Sequence, residues 1–87
     1  MPVRRDLSDE DSQQRWSQSR IRVGANTRRL RQEQGLTQTG LAQRAGLSRN
    51  QLIDLEQGRR GLLFERLEDL AAALGVPVGE LFTTAET

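Results

Sequence analysis

Read for apolar spacing, the chain divides into short helical segments separated by glycines, and no stretch alternates apolar and polar residues as a strand would. The first segment begins as early as Ser8. Ser8 and Asp11 have capping-box spacing, with Asp in place of the usual Glu, and Asp9, Glu10 and Asp11 suit the positive end of a helix dipole. Trp16, Val23 and Leu30 then recur every seven residues with Thr27 on the same stripe, and Gly35 ends the segment. Residues 8–20 form either the start of this helix or an N-terminal arm. A second helix is predicted over 37–45, capped by Thr37, with Leu41, Ala42 and Ala45 inward and Gly46 as its stop. A third opens with Ser48 as N-cap, buries Leu52 and Leu55, and ends at Gly58. A fourth spans 63–74, with Phe64, Leu67, Leu70, Ala71 and Leu74 on its inner face and Gly75 after it. A short fifth follows Pro77 and returns Leu81 and Phe82 to the core. The expected architecture is all-α: a compact five-helix domain over 21–82, preceded by an arm or helix extension (1–20) and followed by a tail (83–87).

Composition removes most chemistry. With 87 residues there is room for one small domain. The chain has no Cys and no His, which excludes disulfides, thiol catalysis and His-based acid/base work. No metal, no cofactor and no enzymatic activity are expected. No apolar run approaches the roughly 18 residues of a membrane span, and nothing apolar follows Arg4 and Arg5 as in a secretory signal, so a cytoplasmic protein is the default reading.

Net charge is only +1, but its distribution is uneven. Residues 21–60 carry eight Arg against three acids, net +5, while residues 61–87 carry one Arg against five acids, net −4. A basic middle beside an acidic end suits a protein with one face on a polyanion; chance clustering on a solvated surface is the alternative. All thirteen cations are Arg, a bias that favours bidentate contacts but would also follow from a GC-rich genome.

The most informative stretch is 37–58. Two short helices joined by Ala45-Gly46-Leu47-Ser48 have helix-turn-helix geometry, with Gly46 at the tight turn and Leu47 and Leu52 locking the second helix onto the first. That second helix exposes Arg49, Asn50, Ile53 and Asp54. Arg pairs well with guanine and Asn with adenine in the major groove. A hairpin that serves only the core is the plainer alternative from spacing alone.

Residues 23–82 resemble the Cro/cI-type (xenobiotic-response-element) helix-turn-helix family, whose domain is the lambda-repressor-like fold. The likeness runs through Arg28-Arg29-Leu30-Arg31, Gly35-Leu36-Thr37-Gln38, Leu41-Ala42, Ala45-Gly46-Leu47-Ser48, Leu55-Glu56, Gly58-Arg59, Leu67-Glu68, Ala72-Ala73-Leu74-Gly75-Val76-Pro77 and Glu80-Leu81-Phe82. It implies double-stranded DNA as partner, with Arg49, Asn50 and Asp54 at base-reading positions and Ile53 beside them. Ile53 either touches a thymine methyl or is incidentally exposed. Asp54 accepts from cytosine N4, orients Arg49, or repels the wrong phosphates. Gln38 is implied to bond a phosphate and brace the reading helix. Gln51, Gln57, Arg59 and Arg60 fall at phosphate-contacting positions, joined by Thr37, Arg44 and Ser48. Arg31 and Glu56 match a partly buried ion pair between the first and third helices.

Three positions depart from the family pattern. Thr27 stands where Ile or Leu is usual, so the first helix packs less tightly or the hydroxyl bonds back to the chain. Gly40 replaces Glu or Ala, at about 1 kcal/mol relative to Ala. Gly61-Leu62-Leu63 replaces the usual Pro and N-cap Ser or Thr, at about 1 kcal/mol for the missing cap. Two adjacent Leu cannot face one core, so Leu62 or Leu63, together with Leu81 and Phe82, is expected in a homodimer interface, unless both tuck under the domain. Trp16 is either a dimer contact or a lid on the first helix. The resulting expectation is a stand-alone transcriptional regulator, a homodimer reading a palindromic operator, with no second domain to hold an inducer. An antitoxin or adaptor that chiefly binds a protein partner is the alternative.

Overall fold

The computed structural model describes residues 9–84, so Ser8 and its proposed capping role lie outside the described residues. Helix α1 spans Asp9–Glu33 without a break, and residues 9–20 are therefore helix and not an extended arm. Its N-terminal turn carries Asp9, Glu10 and Asp11 and its last turn Arg31, the charge order that a helix dipole favours. Helix α2 is Gln38–Ala45, α3 is Arg49–Glu56 and α4 is Phe64–Leu74. The fifth segment, Val78–Phe82, is a 3-10 helix and not an α-helix. The five residues of this segment are too few to repay α-helical nucleation, and the tighter 3-10 bonding suffices. The described residues contain no strand.

The turn between α2 and α3 is set by Gly46, whose φ of 72° lies in the left-handed region. There its own N–H and that of Leu47 satisfy the carbonyls at the end of α2, with Leu47 N bonded to Ala42 O at 2.9 Å. Ser48 then starts α3 with a full capping box. Its Oγ accepts from Gln51 N at 3.0 Å, and its own N–H donates to Gln51 Oε1 at 2.9 Å. Leu63 occupies the N-cap of α4 and offers no side-chain bond.

One core joins all the elements: Val23 and Leu30 of α1, Leu41 of α2, Leu52 and Leu55 of α3, Leu70 and Leu74 of α4, and Leu81 of the 3-10 segment. Thr27 is fully buried among them, and its hydroxyl donates to Val23 O at 2.8 Å, so the polar residue at a usually aliphatic position is satisfied within its own helix. Phe64, expected on the inner face of α4, is 65% exposed instead. It opens the helix, and the core-facing stripe begins one turn later at Leu67. Leu81, expected at a dimer interface, is wholly buried within the single chain and has no surface to give to one. Of the two adjacent leucines, Leu62 packs against the core and Leu63 is 74% exposed.

Two polar side chains of α1 tie down the C-terminal part of the domain. Asn26 in α1 donates from Nδ2 to Leu81 O at 2.9 Å and Thr83 O at 2.8 Å, and Gln34 donates to Leu74 O at 2.6 Å. Asn26→Ala removes both bonds to the C-terminal segment. At about 1 kcal/mol for each neutral bond, a loss of about 2 kcal/mol is expected in urea unfolding. A loss indistinguishable from zero would show that the segment is held by Leu81 alone.

Candidate nucleic-acid interface

The exposed face of α3 is assembled by its cap and its buried leucines. The capping box fixes the first turn, Leu52 and Leu55 anchor the opposite face, and Arg49 and Asn50 are left projecting to solvent with Ile53 and Asp54 half-buried behind them. Beside this face lies an open polar cleft of about 510 Å³, whose rim includes Arg28, Thr37, Gln38, Thr39, Arg49 and Gln57.

The floor of the cleft is the Arg31–Glu56 pair. Arg31 Nε and Nη2 reach the two Glu56 oxygens at 2.7 and 3.1 Å, and Arg31 Nη1 donates to Leu36 O at 3.0 Å. Glu56 also accepts from Gln38 Nε2 at 3.1 Å. One carboxylate therefore ties α1, α2 and α3 together. Gln38 still has a second amide N–H for an acceptor in the cleft. Thr37 accepts from Gly40 N at 2.9 Å as the α2 N-cap, which leaves its hydroxyl proton for the same acceptor. The N-terminus of α2 with Arg28 and Arg49 beside it is an arrangement suited to a phosphate group.

The structure sorts the remaining expected contacts. Ser48 and Gln51 are engaged with each other in the capping box, although the Gln51 amide keeps its donor hydrogens. Asp54 is paired with Arg59 and not with Arg49: Arg59 Nε lies 3.1 Å from Asp54 Oδ1, and Arg59 also bonds Gln57. The Asp54 carboxylate thus comes with its own counter-charge from the following loop. Arg44, exposed in the last turn of α2, and Arg60 are not on the cleft. Arg60 lies instead at a groove against α1 with Arg20 and Leu62. Arg28 joins the rim although spacing on the reading helix did not single it out; its place three residues before Arg31 puts it on the same side of α1.

Two short helices at a glycine turn, with a buried brace behind and an Arg/Asn face in front, define a helix-turn-helix DNA-binding domain. The family model described as Helix-turn-helix matches residues 28–81, and the chain belongs to this family of Cro/cI-type DNA-binding transcriptional regulators. Among its relatives, the HTH-type transcriptional regulator y4dJ of Sinorhizobium fredii is 47% identical over 64 residues, covering 74% of this chain and 83% of that protein. Among solved structures, the restriction-modification controller protein C.AhdI of Aeromonas hydrophila superposes with a TM-score of 0.70 at 35% identity, over 72% of this chain and 96% of that one. The hypothetical transcription factor NHTF from Neisseria gives a TM-score of 0.74 at 29% identity, and that likeness takes in 98% of this chain and 88% of the other.

Proposed function

We propose that the protein is a sequence-specific transcriptional regulator that binds double-stranded DNA as a homodimer, laying α3 of each protomer in the major groove of a palindromic operator. The observation that carries this reading is the exposed Arg49–Asn50 pair at the first turn of α3, set beside a polar cleft at the N-terminus of α2. Arg49 reads guanine, Asn50 reads adenine, and Ile53 and Asp54 border them. Thr37, Gln38, Arg28, Gln57 and Arg59 hold the backbone, with Arg44, Gln51 and Arg60 at the margins. One reading helix spans only a few base pairs, so a two-fold pair of helices about 34 Å apart is what makes a site long enough to be specific. The chain acts without a cofactor and without catalysis, in the cytoplasm; no helix among the described residues is long and apolar enough to cross a membrane.

Selection of bound duplexes from a random pool at near-physiological salt tests the reading. Enrichment of an inverted repeat with half-sites about one turn apart is expected. Uniform, salt-sensitive binding without enrichment would overturn it. On the selected operator, Arg49→Ala is expected to relax the choice at one base pair by about 1–3 kcal/mol. Arg59→Ala is expected to weaken cognate and random DNA alike, because it removes a phosphate contact and unpairs the Asp54 carboxylate. Equal losses on both DNAs for Arg49→Ala would remove its base-reading role.

A second reading, an antitoxin or adaptor whose main role is to bind a protein, is favoured by Leu63 and Phe64, adjacent and 74% and 65% exposed. A stoichiometric protein partner together with failure of the DNA selection would put that reading first.

A further inference from the structure

The core-facing stripe of α1 continues past the end of the domain. Val23, Thr27 and Leu30 are buried, but Trp16, seven residues before Val23 and in the same helical phase, is 56% exposed. The α3–α4 loop crosses α1 at Ile21 and Arg20, which approach Gly58 and Gly61. The turns of α1 before that crossing overhang the domain. Where the overhang begins there is a mainly apolar groove lined by Ser19, Arg20, Val23, Leu62, Leu67 and Phe82, with Arg60 also against it. Arg20 Nη2 reaches Ser17 Oγ at 3.0 Å, whereas its Nε is the one buried side-chain polar atom without a hydrogen-bond partner among the described residues.

Knob and groove are complementary in apolar character and in charge. The overhang offers an indole with Asp9 in phase with it two turns away, about 10 Å along the axis. The groove offers apolar walls flanked by Arg20 and Arg60. Both belong to one continuous helix and its immediate surroundings, so they cannot meet within a single chain. A two-fold axis brings each knob to the other copy's groove, because an isologous interface uses the same patch twice.

We infer that the first turns of α1 are the self-association element of this protein. Trp16 of one copy seats on the groove formed by Arg20, Leu62, Leu67 and Phe82 of a second copy, and Asp9 pairs with Arg20 and Arg60 across the axis. This rests on the homodimer reading above and names its interface. It also assigns Trp16 and gives Leu62 and Phe82 a partner, while Leu63 takes no part.

Trp16 is the only Trp and the chain has no Tyr, so the emission of the full chain reports this one residue. A dilution series without DNA, followed by fluorescence and sedimentation equilibrium together, is expected to show a blue shift in step with dimer formation. Trp16→Ala and Asp9→Arg are each expected to weaken dimerisation at least tenfold. Asp9 is exposed, so its charge reversal removes no core packing, and adding Arg20→Asp to Asp9→Arg is expected to recover most of the loss. A dimer in which Trp16 emission does not change, or that Trp16→Ala forms with the parent's affinity, would overturn the inference. So would a chain that stays monomeric both in solution and on DNA. The two readings fail separately. An enriched inverted repeat with a solvated Trp16 leaves operator reading standing and moves the interface, whereas a Trp16-dependent dimer with no DNA preference leaves the interface standing and removes operator reading.

Discussion

Gly24→Ala is expected to be among the most destabilising single substitutions in the domain, with a sharply lowered urea midpoint. In a helix interior the same change normally stabilises by about 1 kcal/mol. Here a β-carbon would lie 2.3 Å from Leu55 O and 2.8 Å from Glu56 O, both backbone atoms of α3. Backbone cannot swing aside as a side chain can, so α1 and α3 would have to part, opening the core between Val23 and Leu55. Overpacking typically costs about 1–3 kcal/mol, and a clash of backbone on backbone belongs at the upper end, a large part of the 5–15 kcal/mol that holds a domain folded. Gly40→Ala in α2 is the control. It meets only the Thr37 hydroxyl, at 3.1 Å, and is expected to change stability by less than about 1 kcal/mol. Urea unfolding followed by circular dichroism compares the two, and a stabilised Gly24→Ala would refute the close contact.

Glu56→Ala is expected to be comparably damaging. The carboxylate is 2% exposed and its Arg31 partner 11%, so removing it strands a buried guanidinium and takes the acceptor from Gln38. Breaking such a pair typically costs about 3–5 kcal/mol. Replacing both residues by Met is expected to cost less than Glu56→Ala alone, because no charge is then left buried. Arg29–Glu33, with side chains 46% and 59% exposed, provides the contrast: Glu33→Ala should cost under about 1 kcal/mol. If Glu56→Ala and Glu33→Ala proved equal in urea midpoints, the brace would contribute no more than a surface pair.

The helices that sequence spacing located best are those with a side-chain cap at the start or a glycine at the stop. Thr37, Ser48, Gly46 and Gly75 mark their boundaries chemically, and the structure uses each of them. The Arg49–Asn50 face was legible for a related reason: once Leu52 and Leu55 are turned inward, helical geometry leaves few places for the polar residues. Phe64 misled because its spacing fits the apolar stripe of α4, yet the first turn of a helix can overhang the core it leads into. Gly24 and Asn26 were missed because neither carries an apolar signal. A glycine in mid-helix was the available sign, since such a residue is tolerated chiefly where another backbone comes close. The Asp54–Arg59 contact depends on the path of the loop after α3, which no periodicity encodes.

The contact at Gly24 has a consequence for how a binding site is measured. With backbone against backbone and no side chain as cushion, α1 and α3 turn as one rigid lever about 37 Å long on the α1 side. Whatever fixes the direction of α1 fixes the direction of α3, with little slack between them. In the proposed dimer, a small tilt at the far end of α1 becomes a change in the distance between the two α3 helices. Mutations there would shift which half-site separation is preferred and leave the preferred bases as they were.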